Sequence, residues 1–386
     1  FAAAGHSIYH PSDCADIYIL NTCTVTHVAD RKSRHLLRLA RRRNPGALVI
    51  ATGCYVERAP EELARIEGVD MLLGNEEKSH LTQVLEQEGL LTIAPAINPW
   101  TMLRTRSLVK IQEGCNQFCS YCIVPLVRGQ ERSLTPDQIV DEVKAKVAMG
   151  YREVVLTGTQ IGAYSPSLKL VMRRVLDETD VVRLHLSSLQ PQDIRPQLIS
   201  LWADGRLCRH LHLPLQSGSD QVLERMRRRY SVADYERAVA MIREAIPDAA
   251  ITTDIMVGFP EESEEEFEES YRFCQRLGFA NIHVFPYSVR PGTTAAHLPG
   301  QVPERVKRER GERMLELARE SALHFRQQFL ERTMAVLWEK EIGGGVWSGL
   351  SDNYIRVFTK SNQELKNRLL ETRIVGWHNH DLWGAL

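Results

Sequence analysis

Between about residues 106 and 290 the chain alternates six strand-like runs with helix-like runs, and a knot of cysteines opens the series. The strand-like runs fall at 106–111, 153–157, 181–186, 210–213, 251–257 and 282–287. The helix between the first two starts at Thr135-Pro136-Asp137, an N-cap with proline in the first turn, and stops at Gly150. Strands joined by crossover helices run parallel, which makes this an α/β chain. Six units are fewer than the eight of a closed barrel, so a partial barrel is expected. In such folds the chemistry sits beyond the C-terminal ends of the strands. The first strand leads directly into Glu113-Gly114-Cys115-Asn116-Gln117-Phe118-Cys119-Ser120-Tyr121-Cys122, which places Cys115, Cys119 and Cys122 at that end.

The spacing is C-x3-C-x2-C. Zinc sites favour paired C-x2-C knuckles with four Cys/His ligands, and no fourth cysteine lies nearby. A disulfide scaffold does not suit a chain of 386 residues with eight cysteines. Three thiolates from one loop suit a 4Fe–4S cluster and leave its fourth iron without a protein ligand. A small molecule can coordinate at that open corner and be reduced.

Regions on either side of the barrel differ in character. Residues 1 to about 90 carry the strand-like runs Asp16–Asn21 and Ala47–Thr52, with a helical stretch between them that ends at Asn44-Pro45-Gly46; this is again α/β patterning. Residues 91–105, with Pro95 and Pro99, read as a linker. Residues 304–330 are charged and helical. Beyond 332, the runs Met334–Trp338 and Tyr354–Phe358 flank Gly343-Gly344-Gly345 and predict a small all-β module. The expected division is 1–92, 101–330 and 331–386. The acidic run Glu261–Glu269 reads as the solvated first turns of a helix. The opening Phe1-Ala2-Ala3-Ala4-Gly5-His6 reads as a helix end closing on glycine, so part of the N-terminus is expected to lie upstream. No run of 18 apolar residues occurs, so no membrane span is expected; free cysteines and no visible secretory signal point to the cytoplasm. With a net charge of −1, nucleic-acid binding has to come from local patches.

Two further cysteines, Cys23 and Cys54, each follow a strand-like run. Taken by position, they are equally readable as small buried cysteines or as partners at one sheet edge. Cys14 precedes its strand and reads as incidental; Cys208 and Cys274 read as core. Arg31, Arg34, Arg38 and Arg41 or Arg42 recur at helical spacing, with Lys32 and Arg43 beside them. This stripe suits phosphates, or it is a solvated face over Leu36, Leu37 and Ala40. Arg225, Arg227, Arg228 and Arg229, and Trp347, Tyr354, Arg356 and Trp377, are further candidates for RNA contact; the aromatics could equally be core.

Asn21-Thr22-Cys23, Gly53-Cys54, Gln112 through Arg128-Gly129, Leu213–Ser219 and Asp254–Pro260 together carry a resemblance over nearly the whole chain. It resembles the methylthiotransferases, radical S-adenosylmethionine (SAM) enzymes that insert a methylthio group into a C–H bond. The resemblance implies an N-terminal α/β methylthiotransferase domain, a partial (β/α)6 radical SAM barrel and a small all-β TRAM domain. It implies two 4Fe–4S clusters. Cys115, Cys119 and Cys122 would hold the SAM-binding one; Cys23 and Cys54, with a cysteine upstream of Phe1, would hold an auxiliary one. For SAM itself it offers Tyr121, Gly158, Thr159, Gln160, Ser187, Gln216, Ser217, Val257 and Gly258.

The segments Asn21–Arg34 and Phe118–Cys122 look like the branch acting on N6-threonylcarbamoyladenosine in tRNA. The branches acting on isopentenyladenosine in tRNA or an aspartate of ribosomal protein S12 are the alternatives; a non-catalytic iron–sulfur RNA-binding protein is disfavoured by the open iron. Ser165 stands where a glycine is common in the family. Implied partners are a tRNA and an electron donor such as flavodoxin or ferredoxin.

Overall fold

A computed structural model describes residues 1, 6–9, 13–91 and 105–386. Most of the expected linker, and the core of the expected N-terminal helix end, lie outside the described residues. Internal contacts separate two compact units: residues 1–103, 115–130 and 288–297 form one, and residues 104–114, 131–287 and 298–386 the other.

In the first unit, β1 (Ile17–Thr22), β2 (Leu48–Gly53) and β3 (Met71–Leu73) form a parallel sheet in that order. Helix α1 (His27–Arg43) follows β1. The Thr26 hydroxyl caps it by accepting from the Ala29 N–H, and Asp30 sits in its first turn. Leu37 and Ala40 face inward as expected, packing on Val49, Tyr55 and Leu63. The segments 115–130 and 288–297 complete this unit, a grouping that no local pattern marks.

In the second unit, β4 (Arg106–Glu113), β6 (Glu153–Gly158) and β7 (Arg183–Leu186) pair in parallel, as do β8 (His210–His212), β9 (Ala250–Val257) and β10 (Asn281–Pro286). The Leu184–Leu207 bridge joins the two groups, with the Cys208 N–H donating to the Leu184 carbonyl at 2.9 Å. All six expected parallel strands are present, in sequence order. A two-residue strand β5 (Arg132–Ser133) pairs antiparallel with the end of β4; nothing in the sequence marked it. Alternation of side chains along the strands sends Val109, Ile111, Val154, Leu156, Leu184, Leu186, Leu211, Ile251, Ile255 and Ile282 into one continuous core. The opposite, inner face carries Gln112, Thr157, His185, Ser187, His210, His212, Thr252, Asp254 and His283, and so is polar.

Five strands close the C-terminal barrel, three more than the two runs read from the sequence. They are β11 (Thr333–Gly343), β12 (Val346–Ser351), β13 (Arg356–Lys360), β14 (Leu369–His378) and β15 (Asp381–Ala385), in the order β11-β12-β13-β15-β14. Trp338, Trp347, Val357, Ile374 and Leu382 fill it.

The acidic run is only partly solvated. Glu264–Leu277 is a helix capped by Ser263, but Glu262 and Glu266 are buried. Glu262 pairs with Arg310 at 2.8 Å and Glu266 with Arg225 at 2.7 Å. Buried charge requires such partners.

Candidate active site

Thr22 and Gly53 are register partners on β1 and β2. Cys23 and Cys54 directly follow them, so both leave the same edge of the sheet. Gly53 has φ +97°, and a Cβ there would lie 2.6 Å from the Thr22 carbonyl oxygen. Only glycine fits this turn, which delivers Cys54 to the first position of the helix Cys54–Arg58. Cys54 is buried and Cys23 exposed. Cys14 is exposed ahead of β1, while Cys208 and Cys274 are buried in the second unit. Burial pushes the Cys208 thiol up to about 12, and the Cys274 thiol up as well.

The loop bearing Cys115, Cys119 and Cys122 lies in the same unit as Cys23 and Cys54. Backbone bonds shape it: the Cys115 N–H donates to the Gly129 carbonyl at 3.2 Å, and the Cys122 N–H to the Cys119 carbonyl at 3.0 Å. The Ala295 N–H reaches in from 288–297 to the Ser120 carbonyl at 2.7 Å. All three thiols are reduced and partly exposed. Phe118 adopts φ +48° and is exposed; Tyr121 is half-buried. A loop offering three thiols within eight residues, none of them in a disulfide, fits an iron–sulfur donor set and no common zinc knuckle.

Cys54 packs against Ile123 and Val127, just beyond Cys122. Arg128, from the helix Val124–Arg128, donates from Nε to Cys54 Sγ at 3.3 Å. Beside Cys23, the buried Asp30 is gripped by Arg290 Nη1 at 2.7 Å, by Arg58 Nη2 at 3.2 Å and by the Thr24 hydroxyl at 2.7 Å. Arg290 Nη1 also donates to the Thr24 carbonyl at 3.1 Å. Arg128, Arg290 and Asp30 drew no notice as site residues in the sequence, where an arginine on a loop looks like any surface charge.

In the second unit, the residues expected around SAM lie at the C-terminal strand ends. Gly158 ends β6, and a Cβ there would meet Ile161 at 2.7 Å and Gln112 at 3.0 Å. Gln112 accepts from the buried Gln160 N–H at 2.8 Å and donates to the Gly114 carbonyl at 3.0 Å. Thr159 lies between Gly158 and Gln160. Ser187 follows β7 and Gln216 follows β8; Gln216 has φ +70°. Ser187 Oγ and Gln216 Oε1 are buried with no hydrogen-bond partner among the described residues. Buried polar atoms are rarely left so unless a ligand or water meets them, which fits a polar ligand such as the aminocarboxylate of SAM. Ser217 instead bonds Ser270 and accepts from the Ser219 N–H, holding its own loop. Val257 is buried at the end of β9. Gly258, φ +70°, donates its N–H to Glu262 at 2.7 Å, and a Cβ there would lie 2.3 Å from the Lys307 side chain.

The basic stripe divides. Arg31, Arg38 and Arg42 are exposed. Arg41 instead bonds the carbonyls of Pro45, Ala47 and Gly68 together with Asp70, and Arg34 pairs with Glu62 and the Tyr55 hydroxyl. In the second unit, Arg227 and Arg229 are exposed, while Arg225 and Arg228 bond Glu266 and Gln190. Trp347 is core, Tyr354 stacks against both His185 and His210, and Arg356 pairs with Glu339; Trp377 is exposed.

No described helix is long and apolar enough to cross a membrane. The Radical SAM superfamily pattern matches residues 109–274, and that of the uncharacterized protein family UPF0004 matches residues 1–74. The threonylcarbamoyladenosine tRNA methylthiotransferase MtaB of Bacillus subtilis is 36% identical over 400 residues, covering 97% of this chain and 89% of the relative. The protein of the same name in Aquifex aeolicus is 38% identical over 387 residues, covering 95% and 92%. Among solved structures, the radical SAM methyltransferase TsrM of Kitasatospora setae superposes with a TM-score of 0.55 at 17% identity, over 74% of this chain and 66% of that one; this likeness is one of fold. SAM and 4Fe–4S clusters are the cofactors of an enzyme of this kind, and the chain belongs to the radical SAM tRNA methylthiotransferase family.

Proposed function

We propose that the protein methylthiolates C2 of N6-threonylcarbamoyladenosine beside the anticodon of tRNA, giving 2-methylthio-N6-threonylcarbamoyladenosine. The observation that carries this reading is the gathering of Cys23, Cys54, Cys115, Cys119 and Cys122 into one compact unit, in a chain whose full-length relatives bear that substrate in their names.

Cys115, Cys119 and Cys122 would hold the SAM-binding cluster, and Cys23 and Cys54 would contribute to the auxiliary one. Bound together, the clusters and SAM supply a radical that abstracts hydrogen, the sulfur, and a methyl group. The chain's own residues prepare that chemistry. Ser187 and Gln216 offer unpaired polar atoms to SAM, while Gly158 and Gly258 keep loops close where a side chain would clash. Thr159, Gln160, Val257 and Tyr121 complete the set proposed for SAM; Ser217 acts on it by fixing the Gln216 loop. Arg128 donates to the Cys54 sulfur and would hold it in place for a cluster. Arg31, Arg38 and Arg42 would meet tRNA phosphates; Arg34 and Arg41 act by bracing the helix that presents them. Residues 1–92, 101–330 and 331–386 would divide the work as cluster, radical and RNA-gripping modules. A flavodoxin or ferredoxin would supply electrons, in the cytoplasm.

The test is nucleoside mass spectrometry of tRNA from a host lacking its own enzyme, complemented with the complete gene. The 2-methylthio nucleoside should appear, and should vanish with Cys119→Ala. Threonylcarbamoyladenosine that stays unmethylthiolated in the presence of the intact gene overturns the assignment.

A further inference from the structure

Inside the barrel, in the unit that does not hold the three-cysteine loop, two histidines close on one carboxylate. His212 is the last residue of β8 and pairs in register with Thr252 on β9; Asp254, two residues on, pairs with His283 on β10. The period of two puts His212, Thr252, Asp254 and His283 on the same inner face. His212 Nε2 lies 3.3 Å from Asp254 Oδ2, and His283 Nδ1 lies 3.3 Å from Asp254 Oδ1. One ligand atom from each of the three lies within 4.8 Å of the others. We infer that His212, Asp254 and His283 form a binding site for one divalent transition ion of the zinc class.

Three features support this. The first is spacing. Tetrahedral zinc with bonds of 2.0–2.1 Å has neighbouring ligand atoms about 3.4 Å apart; each histidine meets its own oxygen of Asp254 at close to that separation, and one ligand atom from each residue falls within 4.8 Å of the others. Two imidazoles with a carboxylate suit zinc or ferrous iron over magnesium or calcium.

The second is the support behind the ligands. A metal-binding histidine donates its other ring N–H to a fixed acceptor, and His212 Nδ1 lies 3.0 Å from Thr252 Oγ1. The line continues: Thr252 Oγ1 meets His210 Nε2 at 3.1 Å, and His210 Nδ1 meets His185 Nε2 at 2.9 Å. Each neutral imidazole has one N–H, and the Thr252 hydroxyl can accept two bonds, so His212 and His210 are free to donate to it together. With an ion on His212 Nε2, the His212 Nδ1–H is left to donate to the Thr252 hydroxyl, which fixes the ring.

The third is room. A cavity of about 310 Å³ adjoins the cluster, lined by His210, Thr252, Asn281, Asn353 and Tyr354 among others. It can hold the water that completes a site with three protein ligands. His283 is half-exposed and offers a way in.

The competing arrangement is a plain His–Asp–His hydrogen-bonded group that takes no ion. The test uses the full chain with its clusters reconstituted, equilibrated in buffered micromolar zinc and desalted. Zinc and iron are counted together, and zinc X-ray absorption reports the ligand atoms. The inference expects about one zinc per chain with a nitrogen and oxygen shell and no sulfur. His283→Gln and Asp254→Asn should lose that zinc with iron content unchanged, and Thr252→Val should weaken it about tenfold or more. His283 is exposed enough that its variant keeps the fold, which circular dichroism and the iron count verify. Wild-type protein that keeps no zinc, zinc that persists in both ligand variants, or a sulfur shell each overturn the site.

Discussion

Removing Arg290 tests whether a residue 260 positions away from Asp30 sets the stability of the segment after Cys23. Its side chain is 1% exposed and that of Asp30 4%. Taking one partner from a buried ion pair costs about 3–5 kcal/mol, because the remaining charge has no compensation. Asp30 would still keep Arg58 at 3.2 Å and the Thr24 hydroxyl at 2.7 Å. The expected cost of Arg290→Met is therefore at the low end, about 3 kcal/mol. The two residues share one network, so their effects should not add. Asp30→Asn combined with Arg290→Met should cost at least about 1 kcal/mol less than the sum of the single changes. Hydrogen exchange of the α1 amides with rising urea reads this locally and does not need the whole chain to unfold in one step. A single variant within about 0.5 kcal/mol of wild type, or strictly additive effects, would refute the reasoning.

Gly53→Ala should lower the melting temperature and the iron content together. It forces a side chain into φ +97° and 2.6 Å from a backbone oxygen, at a cost of about 1–3 kcal/mol before any relaxation. Arg128→Met should make the cluster held by Cys54 harder to reduce, since a donor to its sulfur is gone; redox-titrated electron paramagnetic resonance would show an unchanged potential if the 3.3 Å contact carries nothing. Under native conditions, iodoacetamide on cluster-free protein should leave Cys208 and Cys274 unlabelled, because burial raises both thiols; peptide mass spectrometry finding either one labelled without denaturant contradicts this. The hydrogen bond from Arg332 holds the Asp248 carboxyl below its usual range. The stabilisation it brings is present above the unfolded aspartate value near 4 and is lost as pH falls. With both side chains partly exposed, the gap between wild type and Arg332→Leu should be no more than about 1 kcal/mol at pH 7; thermal melts should show it closing below about pH 4, and a gap that widens there would be the wrong sign.

What the sequence disclosed followed from local chemistry. The six parallel strands were legible because each is a short apolar run ended by a glycine or polar turn. Cys115, Cys119 and Cys122 were legible because their spacing alone restricts the donor set. The rest depended on contacts between distant positions. Nothing local to Arg290 says that it pairs with Asp30, and nothing local to Glu262 says that Arg310 will let it be buried. Tyr354 was equally readable as an RNA-stacking or a core residue; its stacking against the adjoining His185 and His210 depends on distant strands. The histidines of β8 and β10 carried no motif; register alone brings them to Asp254.

The unit that holds the five cysteines is stitched from three separate stretches of chain, the last of which ends at His297. That ordering has a clock attached. Ribosomes add about 5–20 residues per second, so the roughly 240 residues from Cys54 to His297 take on the order of 12–50 s to emerge. For nearly all of that interval the three strands beside Cys23 and Cys54 are already made, with Asp30 still waiting for Arg290. The contacts of Arg290 with Asp30 and of Ala295 with Ser120 therefore form only once most of the chain has been made, and a nascent fragment released before residue 288 carries the five cysteines without them.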